Sequence, residues 1–395
     1  MIENQKEIKL ANFEECTGCA VCHDICPKNA IKMVRQSAFD YPSINHDLCI
    51  KCGKCINVCP VLKPQNFEIN KSMRKAYYGY AIDKDILSET TSGGFSTILN
   101  QCFLKANPKN IVYGVRFDEK HLLRYSRETD INNVLSFSGS KYLQAKSVDI
   151  YKLVKADLKK GGEVLFTGLP CVLSALYNYL SNEERLHVYF IKIICHGISS
   201  EYIFDDYYRY LEKKHKSKIS NYNFRSKIFG WERMCVCIDF ENRKKKIDLA
   251  IDNIHHHWFG IHYNLRNSCF NCMHRTIDEG DMIIGDFWGA IGSDLNIDIK
   301  KGLSTIIINN EKGRKLLDLC KDTFFIKEIN LSVATEKQTP LYKNPIKPKQ
   351  RDAFIKDYDR LTFDELLAKY KKKPTLKDRI RTIWFKIKRF TATSN

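Results

Sequence analysis

The chain has 395 residues and a formal net charge of +18. That length suits two or three domains, and 44% hydrophobic and 12% aromatic residues exclude a disordered polypeptide. No apolar run is long enough for a membrane-spanning helix, and the polar start MIENQKEIKL lacks the apolar core of a secretory signal. A cytoplasmic protein is therefore expected. In that compartment the sixteen cysteines point to metal binding rather than to disulfides.

Eight cysteines fall in two runs near the start. Cys16, Cys19, Cys22 and Cys26 are spaced C-x-x-C-x-x-C-x-x-x-C-P, and Cys49, Cys52, Cys55 and Cys59 repeat the spacing. In this ferredoxin pattern the fourth cysteine of each run serves the other cluster. Cys16, Cys19, Cys22 and Cys59 are thus expected to hold one 4Fe-4S cluster, and Cys49, Cys52, Cys55 and Cys26 a second. Zinc sites use paired C-x-x-C or histidines, not a triplet plus a distant fourth. Ala30–Arg35 and Tyr41–Asn45 read as the hairpin between the runs. The module is expected to span residues 1–66.

The following chain reads as an α/β unit. Lys75–Ala81 is a strand candidate. Thr91-Ser92-Gly93-Gly94 then precedes the apolar helical pattern FSTILNQCFLKA, with Ser92 a suitable N-cap. The glycines permit close backbone approach and a helix start favours phosphate, although a plain turn has the same appearance. Ile111–Phe117 is another strand. Glu163–Thr167, the helical VLSALYNYL, the apolar run Val188–Cys195 and a helix over Ser199–Lys214 alternate as in a parallel sheet covered by helices. Cys171 and Cys195 each follow a strand, where such sheets place ligands. No G-x-G-x-x-G or phosphate-binding P-loop motif occurs, so a standard dinucleotide fold is not expected.

Cys269 and Cys272 form a further C-x-x-C. Alone it could be redox-active, zinc-binding or structural. With Cys171 and Cys195 it supplies the four thiols that a third 4Fe-4S cluster needs. Cys102 and Cys320 sit in apolar helical patterns, and Cys235 and Cys237 alternate along a strand. All four read as structural. Consecutive His255, His256 and His257 would point in different directions and are not expected to bind metal together.

The motifs TSGG at Thr91–Gly94, GSKY at Gly139–Tyr142, VLFTGLPC at Val164–Cys171 and CHG at Cys195–Gly197 occur in order. They are followed by FRSKIFGW at Phe224–Trp231, LRNSCFNC at Leu265–Cys272 and IGDFWG at Ile284–Gly289. Over roughly Cys16–Arg351 the chain resembles the beta-subunit family of coenzyme F-420 hydrogenases and dehydrogenases, F-420 being a 5-deazaflavin. The resemblance implies FAD beside an iron–sulfur cluster in the C-terminal domain. It implies that Cys171, Cys195, Cys269 and Cys272 hold the third cluster and that Ser92, Gly93, Gly94, Lys141 and Tyr142 contact the flavin. Asp286 would orient Arg225 or a ligand. Leu169 and Val172 stand where the family more often has Thr and Gln, which weighs against the deazaflavin as electron donor. The family also includes chlorophyll-ring reductases and proteins of bacterial surface-polysaccharide gene sets, so it does not fix the substrate.

Lys343–Arg351 reads as an extended linker. From Lys369 to Phe390 there are ten basic residues and one acid, with Leu376, Ile380, Ile383, Trp384, Ile387 and Phe390 on one helical face. Such a helix suits an anionic membrane surface, a protein partner or its own domain, whereas no nucleic-acid-binding module is recognised.

The expected architecture is α/β (α+β overall). A dicluster ferredoxin module over 1–66 is followed by a mixed, partly parallel flavin and iron–sulfur domain over 67–350 and a basic helical tail over 351–395. The expected activity is that of an iron–sulfur flavoprotein oxidoreductase exchanging electrons with a ferredoxin-like protein and a hydride with an organic substrate, either the deazaflavin or a polysaccharide-pathway metabolite. The alternative is a non-catalytic electron-transfer subunit on a partner enzyme. The expected location is cytoplasmic, with the tail at the inner membrane face.

Overall fold

The computed structural model describes residues 8–119, 121–292 and 298–372. The basic segment therefore lies, beyond residue 372, outside the described residues. No helix among the described residues is long and apolar enough to cross a membrane.

The N-terminal module is built on the hairpin β1 (Ile31–Gln36) and β2 (Phe39–Ile44), paired antiparallel from Ile31↔Ile44 to Gln36↔Phe39. Short helices, Val21–Ile25 and Lys54–Asn57, carry one cysteine of each run. Gly18, Ala20, Lys51 and Gly53 all have positive φ, which coils each run tightly enough to turn successive thiols inward.

The second unit is organised by an eight-stranded mixed sheet. Its strands are β3 (Lys75–Ala81), β4 (Ile111–Phe117), β5 (Leu123–Glu128), β6 (Val164–Gly168) and β7 (Val188–Ile193). A separate antiparallel ribbon follows, comprising β8 (Ile219–Ser226), β9 (Cys235–Phe240) and β10 (Lys245–Leu249). The sheet is completed by β11 (Met282–Asp286), β12 (Ser304–Ile308) and β13 (Phe324–Ile329). The sheet order is β13-β3-β12-β11-β7-β6-β4-β5. Its centre, β4, β6, β7 and β11, is parallel, and both flanks are antiparallel. All five residues of β6 and of β12 are buried, as continuous apolar strands covered on both faces require.

The helix Phe95–Ala106 forms where expected, but its N-cap is Gly94 at φ 82° rather than Ser92. The Ser92 hydroxyl instead donates to the Leu303 carbonyl at 2.6 Å, tying the turn to the strand beside it. Within the anticipated C-terminal helical tail, the described residues form helices Arg351–Tyr358 and Phe363–Tyr370. Phe354, Leu366 and Leu367 pack in one cluster with Trp258, Ile203, Phe39 and Tyr41. This segment therefore clasps both the ferredoxin hairpin and the larger domain.

Candidate functional site

None of the sixteen cysteines is in a disulfide, and the twelve singled out by spacing gather in three places. Cys16 and Cys59 lie close enough to Cys19 and Cys22 to raise their pKa values, after burial, the larger cause. Cys26, Cys49, Cys52 and Cys55 line one cavity. Beside Cys171 stand Cys195, Cys272 and Cys269, although these come from separate stretches of chain. The cysteines expected to share a cluster are thus brought together in each case.

Local backbone explains the third grouping. Pro170 opens the helix Pro170–Tyr179, which places Cys171 in its first turn just beyond β6. Cys195 lies two residues beyond the end of β7. The chain then pairs Ser199 with Leu265, and the Arg266 amide donates to the Ile198 carbonyl at 2.9 Å. This pairing brings Cys269 beside Cys195. Gly197, at φ 154°, permits the approach, because a Cβ there would meet Leu265 Cδ1 at 3.0 Å.

Each group offers what a cluster requires besides four sulfurs: an apolar surround and N–H donors aimed at sulfur. Ala30 N donates to Cys26 Sγ at 3.2 Å and Ile198 N to Cys269 Sγ at 3.3 Å. Backbone amides of Val21, Gly197 and His274 do the same for Cys19, Cys195 and Cys272. Burial holds Cys19 and Cys269 up at about 12 and Cys195 at about 11 as free thiols. A positive centre is needed to keep such sulfurs as thiolates.

Two guanidiniums accompany these groups, that of Arg266 buried and that of Arg275 half-buried. Arg266 donates to the carbonyls of Cys16 at 2.7 Å and Asp40 at 2.8 Å, and to Gln144 Oε1 at 3.0 Å. Its charge also lies over the Tyr41 ring, 4.2 Å from the centroid. Arg275 donates to the carbonyls of Cys195 and His196 at 2.8 and 2.7 Å. Both arginines lie within three residues of the C-x-x-C at 269–272, in a motif that singled out only its cysteines.

The groups are arranged in series. Cys55, of the second group, is among the charges that raise Cys22, of the first. Cys19, of the first, is likewise among those that raise Cys171, of the third. Cys19, Cys171 and Cys269 share one apolar core. Beyond the third group, the His196 ring lies 5.1 Å from Phe259, and Phe259 lies 5.0 Å from Tyr142.

Tyr142 adjoins a cleft of about 770 Å³. Six cations line it, Lys84, Lys141, Arg225, Lys227, Lys300 and Lys301, against one acid, Glu89. Phe117, Tyr222 and Phe224 give it aromatic walls. Lys141 Nζ donates to the carbonyls of Phe137, Ser138 and Gly139, and Lys227 Nζ to those of Leu87, Ser92 and Lys301. Burial nevertheless pulls both lysines down to about 7. Arg225 bonds Asp286 at 2.5 Å, the role anticipated for that aspartate. His256 packs on Tyr142 at 5.0 Å, with neither ring nitrogen partnered among the described residues.

Of the TSGG residues, Thr91 reaches the cleft lining, as does Thr90 before it, whereas Ser92, Gly93 and Gly94 lie behind it. Gly93 N donates to Ser304 Oγ at 3.1 Å. A Cβ on Gly93 would stand 2.3 Å from the Gly79 carbonyl, so this glycine is required where the turn meets β3 and β12. His255 Nε2 faces the Tyr142 carbonyl at 3.3 Å, and the side chains of His255 and His256 are engaged in packing around Tyr142.

Residues 161–332 match the family described as the C terminus of the beta subunit of coenzyme F420 hydrogenase/dehydrogenase, and residues 15–62 match the 4Fe-4S dicluster domain. The chain thus carries the C-terminal domain of this beta-subunit family behind an N-terminal 4Fe-4S dicluster domain. It is 24% identical over 345 residues to an uncharacterised protein of Methanocaldococcus jannaschii, covering 79% of this chain and 88% of that one. It is also 21% identical over 334 residues to one of the subunits of the F(420)H(2) dehydrogenase of Methanosarcina mazei, covering 82% and 87%. A chain in the solved F420-reducing [NiFe] hydrogenase complex of Methanosarcina barkeri aligns at 17% identity and a TM-score of 0.45, over 70% of this chain and 93% of that one. The chain is thus an iron–sulfur electron-transfer protein of the oxidoreductase class.

Proposed function

We propose that this protein is an iron–sulfur flavoprotein oxidoreductase. Electrons pass singly along the three cysteine groups, and FAD in the basic cleft exchanges a hydride with an organic substrate. The observation that carries this reading is the serial placement of the groups, from exposed Cys52, through Cys22 and Cys55, to Cys19 beside Cys171, and on by His196 and Phe259 to Tyr142. Bound flavin supplies the conversion between one-electron and two-electron chemistry. Cys171, Cys195, Cys269 and Cys272 would hold the third 4Fe-4S cluster. The cleft fits a flavin dinucleotide in volume and in charge, with lysines for the pyrophosphate and aromatic walls for the ring. Lys141 and Tyr142 would contact the flavin directly, and Ser92, Gly93 and Gly94 would shape its wall.

The organic substrate is the deazaflavin or a polysaccharide-pathway metabolite. Leu169 and Val172 pack in the apolar core around Cys171 and offer the deazaflavin no polar group. A second reading, a non-catalytic electron-transfer subunit on a partner enzyme, is favoured by the likeness to a protein named as one of the subunits of a dehydrogenase. The proposed location is cytoplasmic, with residues 369–390 meeting an anionic membrane surface. Deleting residues 374–395 would then abolish activity with membranes but leave flavin reduction unchanged. Unchanged activity with membranes would remove that part of the reading.

Iron, sulfide and flavin content after oxygen-free purification tests the whole reading. About twelve irons and one FAD per chain would support it, whereas about eight irons and no flavin would favour the second reading.

A further inference from the structure

The three cysteine groups differ sharply in exposure. Cys16, Cys19 and Cys22 are buried, as are Cys171 and Cys269, but Cys52 is exposed. The loop around Cys52 presents large apolar side chains to solvent, with Leu48 50% and Ile50 56% exposed. Lys28, Lys51 and Lys54 surround them, all exposed, and none makes an ion pair among the described residues. The lining of this cavity contains no acid, and the one acid between residues 44 and 60 is Asp47. An apolar centre within a ring of free lysines has the composition of a small protein-recognition patch. Cys52 is also the one exposed cysteine of the twelve candidate ligands, and tunnelling decays exponentially with distance.

We infer that the face formed by Leu48, Ile50, Cys52, Lys28, Lys51 and Lys54 is the docking surface for an acidic, cluster-bearing electron carrier protein. The inference rests on the electron-transfer reading above and gives it a port. The lysines steer the carrier and hold its carboxylates at the rim, while Leu48 and Ile50 exclude water at the centre of a small, transient contact. The transfer moves one electron and no atoms: the carrier is oxidised by one electron and this chain is reduced by one. The same face serves the reverse direction.

The test uses the full chain and an acidic bacterial two-cluster ferredoxin. Binding is measured by calorimetry with both proteins oxidised, and electron transfer by stopped-flow absorbance with the ferredoxin reduced. A triple variant, Lys28→Glu, Lys51→Glu and Lys54→Glu, is compared with a control reversing Lys105 and Lys109, which are exposed at the end of the helix Phe95–Ala106. The expected result is at least a tenfold loss of affinity and of bimolecular rate in the triple variant, with loss of the wild-type salt dependence. Iron content and reduction by dithionite should stay unchanged, and the control should behave as wild type. A second variant, Leu48→Ser with Ile50→Ser, should weaken binding while keeping the salt dependence. Equal rates and affinities in the triple variant and wild type would overturn the inference. So would a wild-type protein that dithionite reduces but ferredoxin neither binds nor reduces. Absence of iron in the wild-type chain would instead remove the electron-transfer reading itself.

Discussion

Arg266 Nη2 stands 3.9 Å from Cys16 Sγ, with no solvent exposure along the arginine. A fixed positive charge at that position stabilises whichever state of the neighbouring centre carries more negative charge, and so raises its reduction potential. The same guanidinium joins the two domains, because its carbonyl partners lie in the ferredoxin module and its own backbone pairs with Ile198. Gly18 belongs to this arrangement: a Cβ there would meet Gln144 Nε2 at 2.6 Å and Arg266 Nη1 at 2.7 Å.

Arg266→Met should therefore have two separable effects. It leaves buried carbonyls without a donor, at a cost of about 3 kcal/mol seen as a lower melting temperature. It also shifts the first ferredoxin centre to a more negative potential in an EPR-monitored titration. Arg266→Lys should recover much of the potential but less of the stability, since lysine cannot reproduce the fork of bonds. A lower melting temperature with an unchanged potential would leave Arg266 only a structural role.

The crossed cysteine assignment makes a sharp distinction. Cys59→Ser should impair the centre bound by Cys16, Cys19 and Cys22, and Cys26→Ser the centre bound by Cys49, Cys52 and Cys55. Each variant should lose up to about four irons, with one EPR signal diminished and the other kept. If Cys59→Ser instead removed the signal of the centre bound by Cys49, Cys52 and Cys55, the crossing would be wrong.

Gly93 and Gly94 separate packing from ligand contact. Gly93→Ala drives a Cβ to within 2.3 Å of the Gly79 carbonyl, which should cost about 2–3 kcal/mol as the turn shifts off β3. Gly94→Ala keeps a positive φ of 82° and should cost about 1 kcal/mol. Thermal unfolding compares the two. Equal stabilities accompanied by lost flavin retention would move both glycines from packing to direct contact.

The cleft lysines give a pH dependence with a definite sign. Lys141 and Lys227 fall from an ordinary 10.5 to about 7 through burial. Between those values the unfolded chain binds more protons than the folded one, so their cost to stability is full below about pH 7 and fades as pH rises toward 10. A phosphate-bearing ligand in the cleft favours the charged lysines and should be bound with proton uptake above pH 7. FAD affinity should then weaken as pH rises from 7 to 9. Calorimetry in two buffers of different ionisation enthalpy measures the uptake, and Lys141→Met should reduce it. Affinity independent of pH over that range would place the phosphates away from these lysines.

Much of this architecture was legible in the residues. The strands Lys75–Ala81 and Ile111–Phe117 have the boundaries that their apolar patterns mark, and the β6–β7 pair is parallel as continuous burial implies. The ferredoxin spacing was legible because sulfur geometry leaves it little freedom. The helix cap was not, because Ser92 satisfies a local rule while Leu303, distant in sequence, offers its hydroxyl a better partner. The cleft cations were also obscure, since Lys84, Lys227 and Lys300 come from separate segments that only the fold brings together. Arg266 and Arg275 were within reach: each lies three residues from a candidate cysteine, where a cation has an electrostatic purpose.

The most direct test of the central claim is flavin reduction through the chain of centres. With FAD bound and the dicluster module reduced in the absence of oxygen, wild-type flavin should bleach rapidly. Cys171→Ser and Cys272→Ser should keep both ferredoxin signals and the bound FAD, yet slow flavin bleaching at least a hundredfold. Bleaching at the wild-type rate in both variants would contradict the serial path through the third cysteine group.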